Sequence, residues 1–200
     1  RGGRNSGPGM DMFGRSGDYY LYLNGGTIYM NAGGDGLDSN GSITMTGGTI
    51  VVNGPTDNAN GPVDYMSSFT VSGGTLLAAG SSGMAQAPDS NSTQPALMIY
   101  FGSTLSAGTA VSLVDASGAN VVTVVPSKEF SSLVISTPDM VIGDTYALYV
   151  GGTVASVDTL GLSTTVASGG TEVSSFTLSY LISQLGTGGS TGGGGGGGRR

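Results

Sequence analysis

"GGDGLDSNGSITMTGGTIVVNGP", residues 33–55, sets Asp35, Asp38 and Asn40 close together and follows them with a Gly-Gly-Thr and a β-branched run. The Gly-Gly-Thr recurs at 25–27, 47–49 and 73–75, in steps of 22 and 26 residues. Spacing of that size marks a repeat architecture. Aligned on it, the three segments read "LYLNGGTIYMNA", "ITMTGGTIVVNG" and "FTVSGGTLLAAG". Leu21/Ile43/Phe69, Leu23/Met45/Val71, Ile28/Ile50/Leu76 and Met30/Val52/Ala78 are apolar in every copy, and the positions between them are mostly polar or small. Each copy therefore reads as two short strands of period 2 joined at a glycine corner. One copy alone exposes its apolar face and stacking buries it, so the pattern predicts all-β parallel β-helix rungs.

The organisation outward from the repeat follows composition. Residues 1–17 and 186–200 are low-complexity Gly/Arg and Gly-rich tails. Residues 18–95 carry the rungs. Residues 96–185 form a β-rich region in which "DASGAN" (115–120) suits a hairpin turn and Pro126 and Pro138 punctuate the strands. Antiparallel strands there are expected to cap or flank the stack and protect its open edge. Two further Gly-Gly-Thr copies stand at 151–153 and 169–171. An ordered Gly-rich tail would need a strand edge of its own or a neighbouring subunit to bond to.

Charge excludes several functions. Thirteen acidic residues against six Lys and Arg give a net charge of −7, which argues against nucleic acid and anionic membranes as partners. No run of about 18 apolar residues is present to cross a bilayer. The absence of Cys removes disulfides and thiolate chemistry. The chain starts at Arg1 without a signal peptide and reads as a processed piece. Its acidic, Thr- and Gly-rich composition associates with extracellular proteins.

Asp38 and Asp64 each stand nine residues before a Gly-Gly-Thr and so occupy the same place on successive rungs, about 4.8 Å apart. Like charges at that distance need a raised pKa, solvent or a cation. Residues 16–127 hold no Lys, Arg or His, which leaves calcium as the cation, with Asp35, Asp38, Asn40, Asp57, Asn60 and Asp64 as candidate ligands on the stacked loops. The alternative is that these are Asx-turn residues bonding their own backbone. Asn31 and Asn53 read as a stacked amide pair. Tyr20, Tyr22 and Tyr29, with Tyr19 beside them, alternate with the inward apolar residues and face outward, where rings can pack on sugar or cover a neighbouring rung or partner. Tyr65 joins them as a candidate carbohydrate contact.

The stretches "DGLDSNG", "GPVDY" and "AAGSSGMAQAP" resemble a family of secreted bacterial carbohydrate-binding parallel β-helix proteins with a pectate-lyase-like fold, over about Tyr19 to Tyr180. The resemblance implies secretion, right-handed winding, bound calcium and affinity for cellulose or pectic polysaccharide. It also implies that the chain is a C-terminal portion, because members carry more rungs before this region. Met66, where a polar residue is expected, departs from the pattern. The expected function is a non-catalytic, calcium-stabilised binding module. The alternatives are a subunit of a self-stacking extracellular fibre and, more remotely, a polysaccharide lyase or hydrolase. A lyase needs a strong base near the metal, and the rungs contain none.

Overall fold

The computed structural model describes residues 19–186. The expectations for the terminal tails, including a strand edge held by the Gly-rich segment, fall outside these residues apart from Gly186. Among the described residues the chain is all-β, without a helix of any kind.

The repeat pairs as its spacing requires. β1 (Tyr20–Asn31) lies parallel to β3 (Ser42–Asn53), and β3 is parallel to both β5 (Ser68–Val71) and β6 (Thr75–Gly80). Thr27 is the register partner of Thr49, and Thr49 of Thr75. The loops stack as well: β2 (Leu37–Ser39) runs parallel to β4 (Val63–Tyr65). The glycine corner is a bend inside one 12-residue strand in β1 and β3, marked by register shifts around Asn24, and separates two strands only in the third copy.

Side-chain alternation gives this stack two apolar faces. Ile43, Met45, Ile50, Val52, Phe69, Val71 and Leu76 point inward and form one core with Leu37 and Val63 of the loop strands. Val51 and Leu77, at positions expected to face out, are buried in a second core. They are covered by a five-stranded antiparallel sheet ordered β12-β9-β8-β11-β13: β8 (Val111–Asp115), β9 (Asn120–Val124), β11 (Thr145–Val150), β12 (Leu162–Ser163) and β13 (Thr171–Thr177). Leu113, Tyr146 and Leu148 supply its inner face. Burial of each such large side chain stabilises by about 1.5–3 kcal/mol.

Both ends of the third copy are closed, by different means. On the β6 side, β10 (Phe130–Ser136) pairs antiparallel with β6, then β7 (Ala96–Leu105) with β10, and β14 (Ile182–Leu185) lies parallel to β7. Met98 and Val134 extend the first core while Leu97, Ile99, Leu133 and Ile135 extend the second. The line between 18–95 and 96–185 thus falls within one seven-stranded sheet, in which β10 alone runs against the other strands. On the β5 side no strand follows among the described residues. The segment after it bonds through side chains instead: Asp89 Oδ2 accepts from the Phe69 N–H and Ser92 Oγ from the Val71 N–H, each at 3.0 Å. These satisfy donors that a fourth parallel strand would otherwise take.

The hairpin turn forms at "DASGAN", where Asp115 Oδ1 accepts from the N–H groups of Ser117 and Ala119. The two late Gly-Gly-Thr copies do not stack on the repeat. They meet each other, with Thr153 bridged antiparallel to Ser168.

Candidate saccharide-binding surface

The opening stretch places its carboxylates on stacked loops. Asp38 and Asp64 are register partners in the parallel β2–β4 pair, so the same repeat position carries a carboxylate twice. The Asp64 carboxyl lies above its ordinary range because burial disfavours the charge, and the neighbouring charges of Asp35 and Asp38 add to this; a hydrogen bond from the Tyr65 backbone works against it. Asp35 is nearby but engaged, its Oδ1 accepting from the Gly61 N–H at 2.7 Å. Asp57 and Asn60 face each other: the Asn60 Nδ2 donates to both Asp57 oxygens at 3.0 Å, and Asp57 Oδ1 also accepts from the Ala59 N–H in an Asx turn. Asn40 is exposed.

Of the six candidate ligands, Asp35, Asp57 and Asn60 are engaged in hydrogen bonds of their own. Among the described residues no three acidic side chains are disposed to hold a metal ion together. The pair Asp38–Asp64, with Asp35 close by, fits a cation only in part, and the remaining oxygens would come from outside these side chains. Sequence alone places no cation in the repeat, yet the fold brings one to its corner, where Lys128 Nζ donates to the carbonyl of Ala32, three residues before Asp35.

The tyrosines divide. Tyr20 and Tyr22 stand on one face of the edge strand β1, each 60% exposed, with ring centroids 6.0 Å apart and planes inclined by 15°. Tyr19 is exposed beside them. Tyr29 is held by its hydroxyl, which donates to Ser127 Oγ at 2.9 Å. Tyr65 is a packing residue: its ring meets Phe69 edge-on and its hydroxyl donates to the carbonyl of Ala87 at 2.9 Å. Burial, and then the charge of Asp89, raise its hydroxyl pKa. The expected Asn31–Asn53 stack is present in register, but the Asn53 amide serves other groups. It donates to the Met30 carbonyl and accepts from the Ser127 N–H, which ties the corner to the segment before β10.

Sequence reasoning missed Gln86, Asp89 and Ser92, which finish the loop and strand edges of the third copy. Their only signal is negative: "AAGSSGMAQAPDSNST" is followed by no fourth Gly-Gly-Thr at the repeat spacing. Among the described residues no helix is long and apolar enough to cross a membrane. Comparison of the chain with protein-family models, curated proteins and solved structures finds no match.

Proposed function

We propose that this chain is a non-catalytic carbohydrate-binding module, an extracellular right-handed parallel β-helix segment that holds cell-wall polysaccharide of the cellulose or pectic type. The observation that carries the reading is the Tyr20–Tyr22 pair: two exposed rings, nearly parallel, presented side by side on a strand fixed by the stack behind it. Flat aromatic surface of this kind packs on the C–H face of a pyranose while its hydroxyls stay hydrated. The in-register parallel repeat supports the β-helix reading. The proposal extends to calcium at the Asp38–Asp64 pair alone, where paired charge favours a cation. A self-stacking fibre built by adding rung to rung requires two open ends, and β10 and the Asp89–Ser92 segment close the third copy. That favours the module over the fibre.

The test is a pull-down with insoluble cellulose and with polygalacturonate, scored for depletion of protein and for new reducing ends or unsaturated product. Depletion without product is expected, and Tyr20→Ala with Tyr22→Ala abolishes it while leaving the melting temperature nearly unchanged. Product released by pure protein, or undiminished binding by the double variant, overturns the reading.

A further inference from the structure

A cleft of about 650 Å³ opens where the two sheets meet, away from the Tyr20–Tyr22 pair and from the acidic loops. Its walls come from the start of β6, from β9, from the turn after β10 and from the segment between β11 and β13. This volume falls within the range of small-molecule sites.

Its lining is one-sided in chemistry. Asp139 and Asp158 bring carboxylates, Thr75 and Thr137 bring hydroxyls, and Val121 and Val157 bring apolar surface. No cationic side chain lines it among the described residues. The carboxylates have capacity to spare. Asp158 Oδ1 accepts from the N–H groups of Leu160 and Leu162 at 2.8 and 2.9 Å, which fixes the side chain, while Oδ2 has no partner among the described residues. Asp139 makes only a long contact, at 3.5 Å, with the Thr137 hydroxyl. The wall behind them is braced, because Asn120 donates to the Ser163 carbonyl and accepts from the Thr123 hydroxyl.

The cleft also continues the repeat. Thr75 is the last of the register-aligned threonines Thr27, Thr49 and Thr75. Their neighbours Ile28, Ile50 and Leu76 belong to the inner core, so alternation places the threonines on the opposite face, the face on which Thr75 lines the cleft. A row of hydroxyl-bearing positions at steps of about 4.8 Å therefore leads along the stack to the cleft.

We propose that this cleft is a glycan subsite that accepts neutral or amine-bearing sugar residues and rejects uronates. The inference rests on the carbohydrate-binding reading and narrows its substrate class. Carboxylate oxygens accept hydrogen bonds from sugar hydroxyls, Val121 and Val157 receive a C–H face, and a protonated amine adds a charge-assisted bond. A uronate carboxylate meets two like charges and no counter-ion.

The test titrates the full chain, in chelator, with short glucosamine, cellulose and galacturonate oligomers, followed by calorimetry and by perturbation of the amide resonances of residues 137–139 and 156–158. At the cleft resonances the glucosamine oligomer is expected to bind most tightly, the cello-oligomer more weakly, and the galacturonate oligomer not detectably. Asp139→Asn should weaken the glucosamine oligomer at least tenfold, and Val157→Lys, at an exposed position, should do the same without a fall in melting temperature. Tyr20→Ala with Tyr22→Ala should leave the oligomer-induced shifts of residues 137–139 and 156–158 unchanged. If no oligomer shifts the cleft resonances, if galacturonate binds as well as glucosamine, or if both cleft variants bind normally, the subsite is wrong, even where the tyrosine pair still captures insoluble polymer. If the cleft titrations hold while the tyrosine variant captures polymer undiminished, the tyrosine reading fails and the subsite stands.

Discussion

Asp38 and Asp64 are direct register partners on adjacent parallel strands, so the fold sets two carboxylates at the same position of the repeat with no cationic side chain in either loop. The proton affinity of Asp64 is raised, by burial first and then by the charges of Asp35 and Asp38.

The folded state thus holds the Asp64 proton more tightly than the unfolded chain does. Its contribution to stability is fully present below the ordinary value of 3.8 and is lost as pH rises through the folded pKa. In chelator at neutral pH, Asp64→Asn should raise the melting temperature, and the gain should shrink as pH falls towards 3.8. In calcium buffer the order reverses if the pair binds the cation, since a ligand of the folded state stabilises only the chain that retains its site. Thermal melts across pH, with and without calcium, check both arms; a variant less stable than wild type in chelator contradicts the repulsion.

Asp115 titrates with the opposite sign. Hydrogen bonds from the Ser117 side chain and the Ala119 backbone hold its carboxyl below the ordinary range, so its contribution is present above 3.8 and is lost as pH falls through the folded value. Asp115→Ala should lower stability at neutral pH and loosen the β8–β9 turn, with faster amide exchange at Ser117 and Ala119, and the difference from wild type should narrow in acid. A pH-independent loss would point to a cause other than the carboxylate.

The glycine corners of the repeat differ in what they tolerate. Gly26 and Gly48 both have positive φ, 79° and 92°. An added Cβ at Gly26 meets nothing within 4 Å, whereas at Gly48 it meets Gly25 C and Gly26 O at 2.8 Å. Gly26→Ala should cost roughly 1–2 kcal/mol from backbone conformation alone, and Gly48→Ala that amount plus about 1–3 kcal/mol for forcing two backbones apart. Urea unfolding of the two variants measures the difference, and equal losses would mean that the corner relaxes freely.

Leu76 and Leu77 are chain neighbours, both fully buried, on opposite faces of β6. Truncation of either to Ala should cost about 2–5 kcal/mol. If Leu77 faced solvent, as the period-2 reading of the repeat implies, its truncation would fall within about 0.5 kcal/mol of wild type. Denaturant midpoints separate the two cases.

What the sequence determined by itself is the stack: a Gly-Gly-Thr at steps of 22 and 26 residues and four columns of apolar side chains fix strand direction, register and the inner core, because parallel in-register pairing is the arrangement that buries every column at once. The pairing of Asp38 with Asp64 follows from the same arithmetic. What only the tertiary structure decided is everything that depends on a partner distant in the chain. Val51 and Leu77 look outward by period and are buried because a second sheet lies over them, and local alternation carries no information about that sheet. Asp57 and Asn60 sit in the right loop for a metal but bond each other, while Tyr65 spends its hydroxyl on Ala87. The cleft draws on β6, β9 and two connections far apart in the chain, so no window of sequence contains it. Repetition is a local signal repeated along the chain, whereas a site is a convergence of unrelated segments, and convergence is settled by how the sheets pack.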